Sequence, residues 1–443
     1  MLMKNRKLYI ETYGCQMNIS DSEIVVSVLR EEGYEVSDKA DQADLIFINT
    51  CSIRDNAEQR VWNRLKELRA LKRKNPNLRI GLLGCMAERL KEKLLEEEIA
   101  VDIIAGPDSY RDLPALLNQA VEGQKAINVI LSSEETYADL SPVRFDSNGV
   151  TAFISIMRGC ENFCAYCVVP FTRGKERSRD PETIIGEAKE LFNKGYREIT
   201  LLGQNVNSYK WEKDGSIIDF PELLEMVANI NPLLRLRFAT SHPKDLSDKL
   251  LEIIASNKNI CSSIHLPVQS GSDKILKKMN RKYTREWYMD RVSSIKKHIP
   301  DCGISTDIIA GFCTETEDDH KESLSLMEWV GYNYAFMFKY SERSGTLAEK
   351  KYEDDVPEKI KGKRLQEIIE LQQKLSLQSN KKDIGKEFEV LVESRSKKSD
   401  DFLSGRNSQN KVIVFPRKDF RPGDYVNVKV TDCTAATLIG VAV

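Results

Sequence analysis

Twice along this chain, short apolar runs alternate with amphipathic stretches, and that rhythm permits few architectures. In the first 120 residues the apolar runs are Leu8-Tyr9-Ile10-Glu11-Thr12-Tyr13, Leu45-Ile46-Phe47-Ile48-Asn49, Ile80-Gly81-Leu82-Leu83 and Val101-Asp102-Ile103-Ile104-Ala105. Helical stretches, such as residues 21–32 and 57–74, lie between them. Alternation of this kind predicts an open parallel sheet with helices on its faces. Residues 132–149 are polar, carry Pro142 and Gly149, and read as a linker.

A second alternation starts at Val150. Residues 152–157, 198–202, 234–239, 263–266, 303–309 and 334–340 read as six strands separated by amphipathic segments. Six strand–helix units predict a (β/α) barrel short of the full eight. Residues 356–380 then read as one long helix, with Leu365, Ile368, Ile369 and Leu375 near helical spacing. From Lys381 the runs are β-rich, divided by turn signals such as Ser404-Gly405 and Pro422-Gly423, and predict a small antiparallel barrel. The expected class is therefore α/β: an N-terminal open parallel sheet, a central partial (β/α)6 barrel and a small C-terminal β-barrel. The boundaries expected are 6–122, 146–377 and 380–443, in keeping with about three domains for 443 residues.

Cys160, Cys164 and Cys167 stand in Arg158-Gly159-Cys160-Glu161-Asn162-Phe163-Cys164-Ala165-Tyr166-Cys167. Three thiols at this spacing suit one iron–sulfur cluster, for which thiolate is the usual ligand. A four-iron cube held by three cysteines keeps one iron open, and an open metal position is where chemistry happens. A zinc site would want a fourth ligand, and no further His or Cys stands nearby. A disulfide cluster fits poorly with a chain that reads as intracellular.

Cys15, Cys51 and Cys85 each follow one of the first three expected strands. Ligands of open α/β sheets bind beyond the carboxyl ends of the strands, so three such cysteines can converge. Gly14 and Gly84 would let the chain turn there. The competing reading is three buried apolar cysteines. Cys261, Cys302, Cys313 and Cys433 share no pattern. His242 and His265 follow or end expected barrel strands and read equally as mouth-lining or structural.

The Cys-x3-Cys-x2-Cys loop resembles that of the radical S-adenosylmethionine enzymes. The six cysteines in this order, followed by a small β domain, resemble the methylthiotransferase family over nearly the whole chain. Its N-terminal motifs read here as Thr12-Tyr13-Gly14-Cys15-Gln16-Met17-Asn18 with Asp21-Ser22-Glu23, then Asn49-Thr50-Cys51-Ser52-Ile53-Arg54, then Gly84-Cys85-Met86-Ala87. These look like the branch acting on tRNA that carries dimethylallyladenosine. One departure is Glu88, where the family usually has Gln. The resemblance implies two 4Fe-4S clusters and S-adenosylmethionine as cofactors. The Cys160/Cys164/Cys167 cluster would cleave S-adenosylmethionine to a 5′-deoxyadenosyl radical. The Cys15/Cys51/Cys85 cluster would carry the sulfur, and a second S-adenosylmethionine would give the methyl group. The target would be carbon 2 of N6-dimethylallyladenosine at position 37 of tRNA. Such chemistry needs a cofactor, because no side chain readily removes an aromatic C–H hydrogen. Cofactor contacts are implied at Tyr166, at Gly203 and Gln204 after the second barrel strand, at Gln269 and Ser270 after the fourth, and at Ile309 and Gly311 on the fifth.

The last segment, with Ser396-Lys397-Lys398 and Gly405-Arg406-Asn407, is similar to the RNA-binding TRAM domain. From Lys381 on there are 12 basic and 9 acidic residues, a local charge of +3 against −2 for the whole chain. Lys397, Lys398, Arg406 and Lys411, with Arg417, Lys418 and Arg421, are the expected phosphate contacts; the other reading of these charges is a solvated face. Expected partners are the tRNA anticodon stem-loop and separate electron-donor and sulfur-donor proteins, with no membrane. A monomer in the cytoplasm is expected, since no apolar run nears the ~20 residues of a membrane span and no signal peptide is evident. Rival substrates are a threonylcarbamoyl-adenosine in tRNA or a ribosomal-protein aspartate. A rival of another class is a non-catalytic iron–sulfur RNA-binding protein.

Overall fold

The computed structural model describes residues 6–51, 55–91, 94, 100–145 and 147–443, and the backbone alone at 55–58. Ser52, Ile53 and Arg54 of the second cysteine motif, and residue 146 at the expected domain boundary, lie outside the described residues. The chain divides into two compact units. One holds residues 1–146, 157–161 and 167–179; the other holds 147–156, 162–166 and 180–443.

The first unit is built on a six-stranded parallel sheet. Its strands are β1 (Arg6–Tyr13), β2 (Tyr34–Val36), β3 (Leu45–Thr50), β4 (Arg79–Leu83), β5 (Ile103–Ala105) and β6 (Ala126–Asn128), in the order β2-β1-β3-β4-β5-β6. Every residue of β3 is buried, as expected of a central strand covered on both faces. Alternation splits its side chains between two cores. Phe47 joins Leu8, Val25, Leu29 and Tyr110 on one face. Ile46 and Ile48 join Val61, Leu65, Ile80 and Leu82 on the other. The helices α1 (Gln16–Glu31), α2 (Asp55–Lys74) and α3 (Cys85–Arg89) follow β1, β3 and β4. Strands β2 and β6 have three residues each, too short for periodicity to reveal.

The stretch read as a linker is instead packed where it belongs to this unit. Tyr137 is 2% exposed. Its hydroxyl donates to the Pro107 carbonyl at 3.0 Å and accepts from the Tyr110 amide at 3.1 Å. Arg144 pairs with Glu23. Polar composition concealed a segment whose anchors are one tyrosine and one arginine.

The second unit contains six parallel strands: Thr151–Ser155, Glu198–Leu202, Arg235–Ala239, Ser263–His265, Gly303–Ala310 and Tyr334–Lys339. They form two three-stranded sheets joined through an isolated parallel bridge between Leu236 and Ile260. The helix Glu358–Lys381 leads into a closed five-stranded barrel of Glu387–Ser396, Ser399–Arg406, Val412–Pro416, Tyr425–Cys433 and Leu438–Ala442. This barrel is not wholly antiparallel. The third and fifth strands run parallel, with Ile413 opposite Leu438 and Val414 opposite Ile439. Closure brings two strands together that no hairpin joins, and such a pair is free to run in the same direction. Val390, Val392, Leu403, Ile413, Phe415, Val426, Val428 and Leu438 fill its centre.

The small barrel seats its residues 406–409 against the starts of the six-strand array. Arg235 donates to the Arg406 carbonyl at 2.7 Å. The Ser262 amide donates to Ser408 Oγ at 2.7 Å, and Gln409 Nε2 to the Asp301 carbonyl at 2.6 Å. A Cβ at Gly303 would stand 2.5 Å from the Gln409 carbonyl oxygen.

Candidate active site

Cys15, Cys51 and Cys85 stand at the carboxyl ends of β1, β3 and β4, which are adjacent in the sheet. Cys15 caps the start of α1, and Cys85 opens α3. The Cys15 thiol therefore sits where the Met17 and Asn18 amides favour a thiolate. Cys51 and Cys85 are 3% and 4% exposed. A hydrogen bond with Cys51 and the charge of Arg173 pull the Cys15 thiol below its ordinary range, against burial. Burial pushes Cys85 up, and Arg173 opposes it. Gly14 and Gly84 have φ of +153° and +87°, and a Cβ on them would meet Cys51 Cβ at 2.7 Å and Asn49 Oδ1 at 2.5 Å. Glycine is thus required for the turns that present these thiols. Among the described residues, no three His, Cys, Asp or Glu side chains already stand at the spacing of a bound metal.

Behind the thiols lies a buried polar network. Asn18 Oδ1 accepts from the Cys15 amide at 3.3 Å, and Asn49 Nδ2 donates to the Asn18 carbonyl and to Ser22 Oγ, each at 2.9 Å. Asp21 pairs with Arg158 and, at 2.7 Å, with Arg173. Burial alone would raise the Asp21 carboxyl, but the two guanidinium groups hold it below its usual range. Arg173 Nε stands 3.2 Å from Cys85 Sγ. Arg158 also lies 4.6 Å over the Tyr137 ring. The motif residues Asn18, Asp21, Ser22 and Asn49 thus brace the thiols and the arginines around them. Arg173 was missed in the sequence. Its signal is a lone cation closing the run Val168-Val169-Pro170-Phe171-Thr172. Burial pushes the Glu88 carboxyl upward, and the charge of Lys91 opposes it.

The Cys160-to-Cys167 loop crosses the division between the units: Cys160 and Cys167 belong to the first, Cys164 to the second. In the first unit the Cys160 amide donates to the Gly174 carbonyl at 3.1 Å. In the second, Arg281 Nη1 lies 3.2 Å from Cys164 Sγ and 3.4 Å from the Tyr166 hydroxyl. His242 Nδ1 accepts from the Lys244 amide at 3.3 Å, and its Nε2 lies 3.9 Å from Cys164 Sγ. Burial, aided by Arg281, pulls the His242 imidazole down to about 2, so it is neutral with the proton on Nε2. His265 contacts Ser305 Oγ at 3.0 Å and Asp307 at 3.3 Å.

The expected cofactor positions collect at the carboxyl ends of the barrel strands. Gly203 and Gln204 follow Leu202, Gln269 bridges to Ile308, Ile309 lies at the end of the Gly303–Ala310 strand, and Gly311 follows that strand. Gln204 Oε1 is buried with no hydrogen-bond partner, a suitable acceptor for an ammonium group. The Gly311 amide is already taken by Glu315 Oε1 at 2.8 Å, and Ser270 Oγ lies 3.4 Å from Ser323 Oγ.

In the small barrel, Lys397 and Lys398 are exposed between the first two strands. Arg406 pairs with Glu393 at 2.7 Å, and Lys411 reaches Asp383 at 2.5 Å and Ser379 Oγ at 2.9 Å. The ammonium of Lys411 is thus committed to the end of the helix Glu358–Lys381.

Fold and thiols together define a radical S-adenosylmethionine enzyme with an added N-terminal sheet and a terminal β-barrel. Family models match in three places: Uncharacterized protein family UPF0004 at 7–106, the Radical SAM superfamily at 154–327 and the TRAM domain at 381–443. A tRNA-2-methylthio-N(6)-dimethylallyladenosine synthase of Amoebophilus asiaticus is 60% identical, covering 98% of this chain and 92% of the relative. One of Bacteroides fragilis is 58% identical, covering 98% and 95%. The chain belongs to the tRNA-2-methylthio-N(6)-dimethylallyladenosine synthase family. Among solved structures, the radical S-adenosylmethionine methyltransferase TsrM of Kitasatospora setae, with cobalamin and a [4Fe-4S] cluster bound, superposes with a TM-score of 0.54 at 12% identity, over 78% of this chain and 74% of that one. That likeness is one of fold. Among the described residues no helix is long and apolar enough to cross a membrane.

Proposed function

We propose that this chain converts N6-dimethylallyladenosine at position 37 of tRNA to its 2-methylthio derivative, using iron–sulfur clusters and S-adenosylmethionine. Near full-length identity of 60% to a synthase of that reaction carries the reading. When bound, two 4Fe-4S clusters and S-adenosylmethionine supply the radical, the sulfur and the methyl group. Cys160, Cys164 and Cys167 hold one cluster; Cys15, Cys51 and Cys85 hold the other. The donor sets fit these groups. Each is all thiol, and each has an arginine N–H 3.2 Å from one sulfur, Arg173 at Cys85 and Arg281 at Cys164. Such donors stabilise thiolate ligands and tune a cluster. Buried Gln204 Oε1 accepts from the cofactor's amino group. Tyr166, Gly203, Gln269, Ser270, Ile309 and Gly311 shape the rest of its site.

The domains assigned are 6–122, 146–377 and 380–443. Exposed Lys397 and Lys398 grip RNA phosphates. Arg406 contributes from a position shared with Glu393, and the part of Lys411 is to hold the small barrel in place. The anticodon loop presents its base unpaired, as single-stranded RNA can. The enzyme acts as a monomer in the cytoplasm, where its ten free cysteines stay reduced, and draws electrons and sulfur from separate donor proteins. Nucleoside analysis of a deletion strain tests the substrate. Loss of 2-methylthio-N6-dimethylallyladenosine with its precursor retained is expected; loss of a threonylcarbamoyl-adenosine derivative instead would refute the assignment.

A further inference from the structure

Arg173 is 3% exposed and closes the short helix Val169–Arg173. Its three nitrogens have different fates. Nε points to Cys85 Sγ at 3.2 Å, and Nη2 is bound to Asp21 at 2.7 Å. Nη1 is buried with no hydrogen-bond partner. The neighbouring Thr172 side chain is buried and hydrogen-bonds the Cys85 thiol. An orphaned guanidinium N–H is expensive to bury; the cation is bonded to the Asp21 carboxylate, and its charge reaches the Cys85 and Cys15 thiols and the Asp108 carboxylate. The unmet Nη1 donor calls for an acceptor, and the Nε of the same guanidinium already meets sulfur.

We propose that Arg173 is a positioning residue for the sulfur delivered from the Cys15/Cys51/Cys85 site: Nε donates to the Cys85 thiolate, and Nη1 donates to the sulfur carried on the open iron. The inference rests on the ligand assignment under Proposed function. Asp21 fixes the guanidinium plane, which leaves the other two donors aimed along fixed directions, a geometry that lysine lacks. A buried cation and N–H···S bonds favour the more negative, reduced cluster and so raise its potential. They also strengthen the hold on an anionic sulfur ligand.

The test uses the full chain with Cys160, Cys164 and Cys167 replaced by Ala, so that one cluster remains after anaerobic reconstitution. Two readouts are taken by electron paramagnetic resonance: the midpoint potential, and the dissociation constant of methanethiolate, the smallest ion carrying the group to be transferred. Arg173→Met should lower the potential and weaken methanethiolate binding by roughly tenfold or more, the worth of one charge-assisted hydrogen bond. Arg173→Lys should recover part of the potential, because charge is kept, and little of the affinity. Both readouts are properties of the cluster that forms, so a variant that merely folds less well yields less signal without moving them. If Arg173→Met binds no cluster, Arg173→Lys and Arg173→Gln carry the comparison. Unchanged potential and affinity in variants with an intact cluster would overturn the inference and leave the ligand assignment standing. Failure of the Arg173-containing parent to bind any cluster would overturn both.

Discussion

Arg237, on the third strand of the six-strand array, donates from Nη2 to the carbonyl of Asn407, 170 residues further along the chain, at 2.8 Å. Its Nη1 reaches the Ser408 carbonyl at 3.2 Å, and its Nε shares Glu198 with Arg235. The Glu198 carboxylate is held below its usual range by these two arginines, against burial. The small barrel is thereby a structural part of the second unit. Arg237→Met should cost roughly 2–4 kcal/mol, the scale of breaking a buried charged network, read as a lowered denaturant midpoint. Truncation before residue 380 should lower it further, because it removes the carbonyls that Arg235 and Arg237 bind. The same stability in the truncated chain would show that these contacts carry no weight.

Glu315 gives a pH dependence of known sign. Burial pushes its carboxyl up to about 7, although the Gly311 amide and Arg364 stabilise the charged form. The folded protein thus holds a proton that the unfolded chain releases near 4.5. Stability contributed by this group is present below about 4.5 and is lost as pH rises towards about 7. Glu315→Gln should flatten the fall in unfolding free energy across that window. An unaltered slope in the variant would contradict the burial effect.

RNA binding and barrel seating separate by salt. Lys397→Ala or Lys398→Ala should each reduce the salt slope of tRNA binding by about one unit, with thermal stability unchanged. Lys411→Ala should do the reverse, since its ammonium is paired with Asp383. Equal salt slopes for all three variants would mean that the exposed pair is only a solvated face.

The two thiol sets should separate in iron content. Replacing Cys160, Cys164 and Cys167 by Ala should leave about half the iron, as one four-iron cluster. Replacing Cys15, Cys51 and Cys85 should abolish the methylthio product and retain cleavage of S-adenosylmethionine to 5′-deoxyadenosine. Complete loss of iron from either folded variant would point to one shared site.

The sequence carried the six-strand rhythm of the barrel and the strand-end placement of Cys15, Cys51 and Cys85, because buried parallel strands are continuous apolar runs. It did not carry β2 and β6, which are too short for any period, or the parallel pair inside the small barrel, which closure imposes. Residues 132–149 look like a linker because their composition is polar, and the two side chains that anchor the part in the first unit, Tyr137 and Arg144, carry no sequence pattern. Arg173 and Arg281 approach the thiols from segments with no motif spacing, and only the fold shows which cysteine each one serves. The basic residues of the last segment look equivalent in sequence; the ion pairs of Arg406 and Lys411 distinguish them from Lys397 and Lys398.

The central claim is tested most directly by one assay. Anaerobically reconstituted protein, reductant, S-adenosylmethionine and sulfide are incubated with an anticodon stem-loop bearing N6-dimethylallyladenosine at position 37. The digested nucleosides are then resolved by mass spectrometry. The account predicts 2-methylthio-N6-dimethylallyladenosine formed together with 5′-deoxyadenosine, and no product from the Cys15→Ala variant. Cleavage of S-adenosylmethionine without any methylthio product, in protein carrying both clusters, would contradict it.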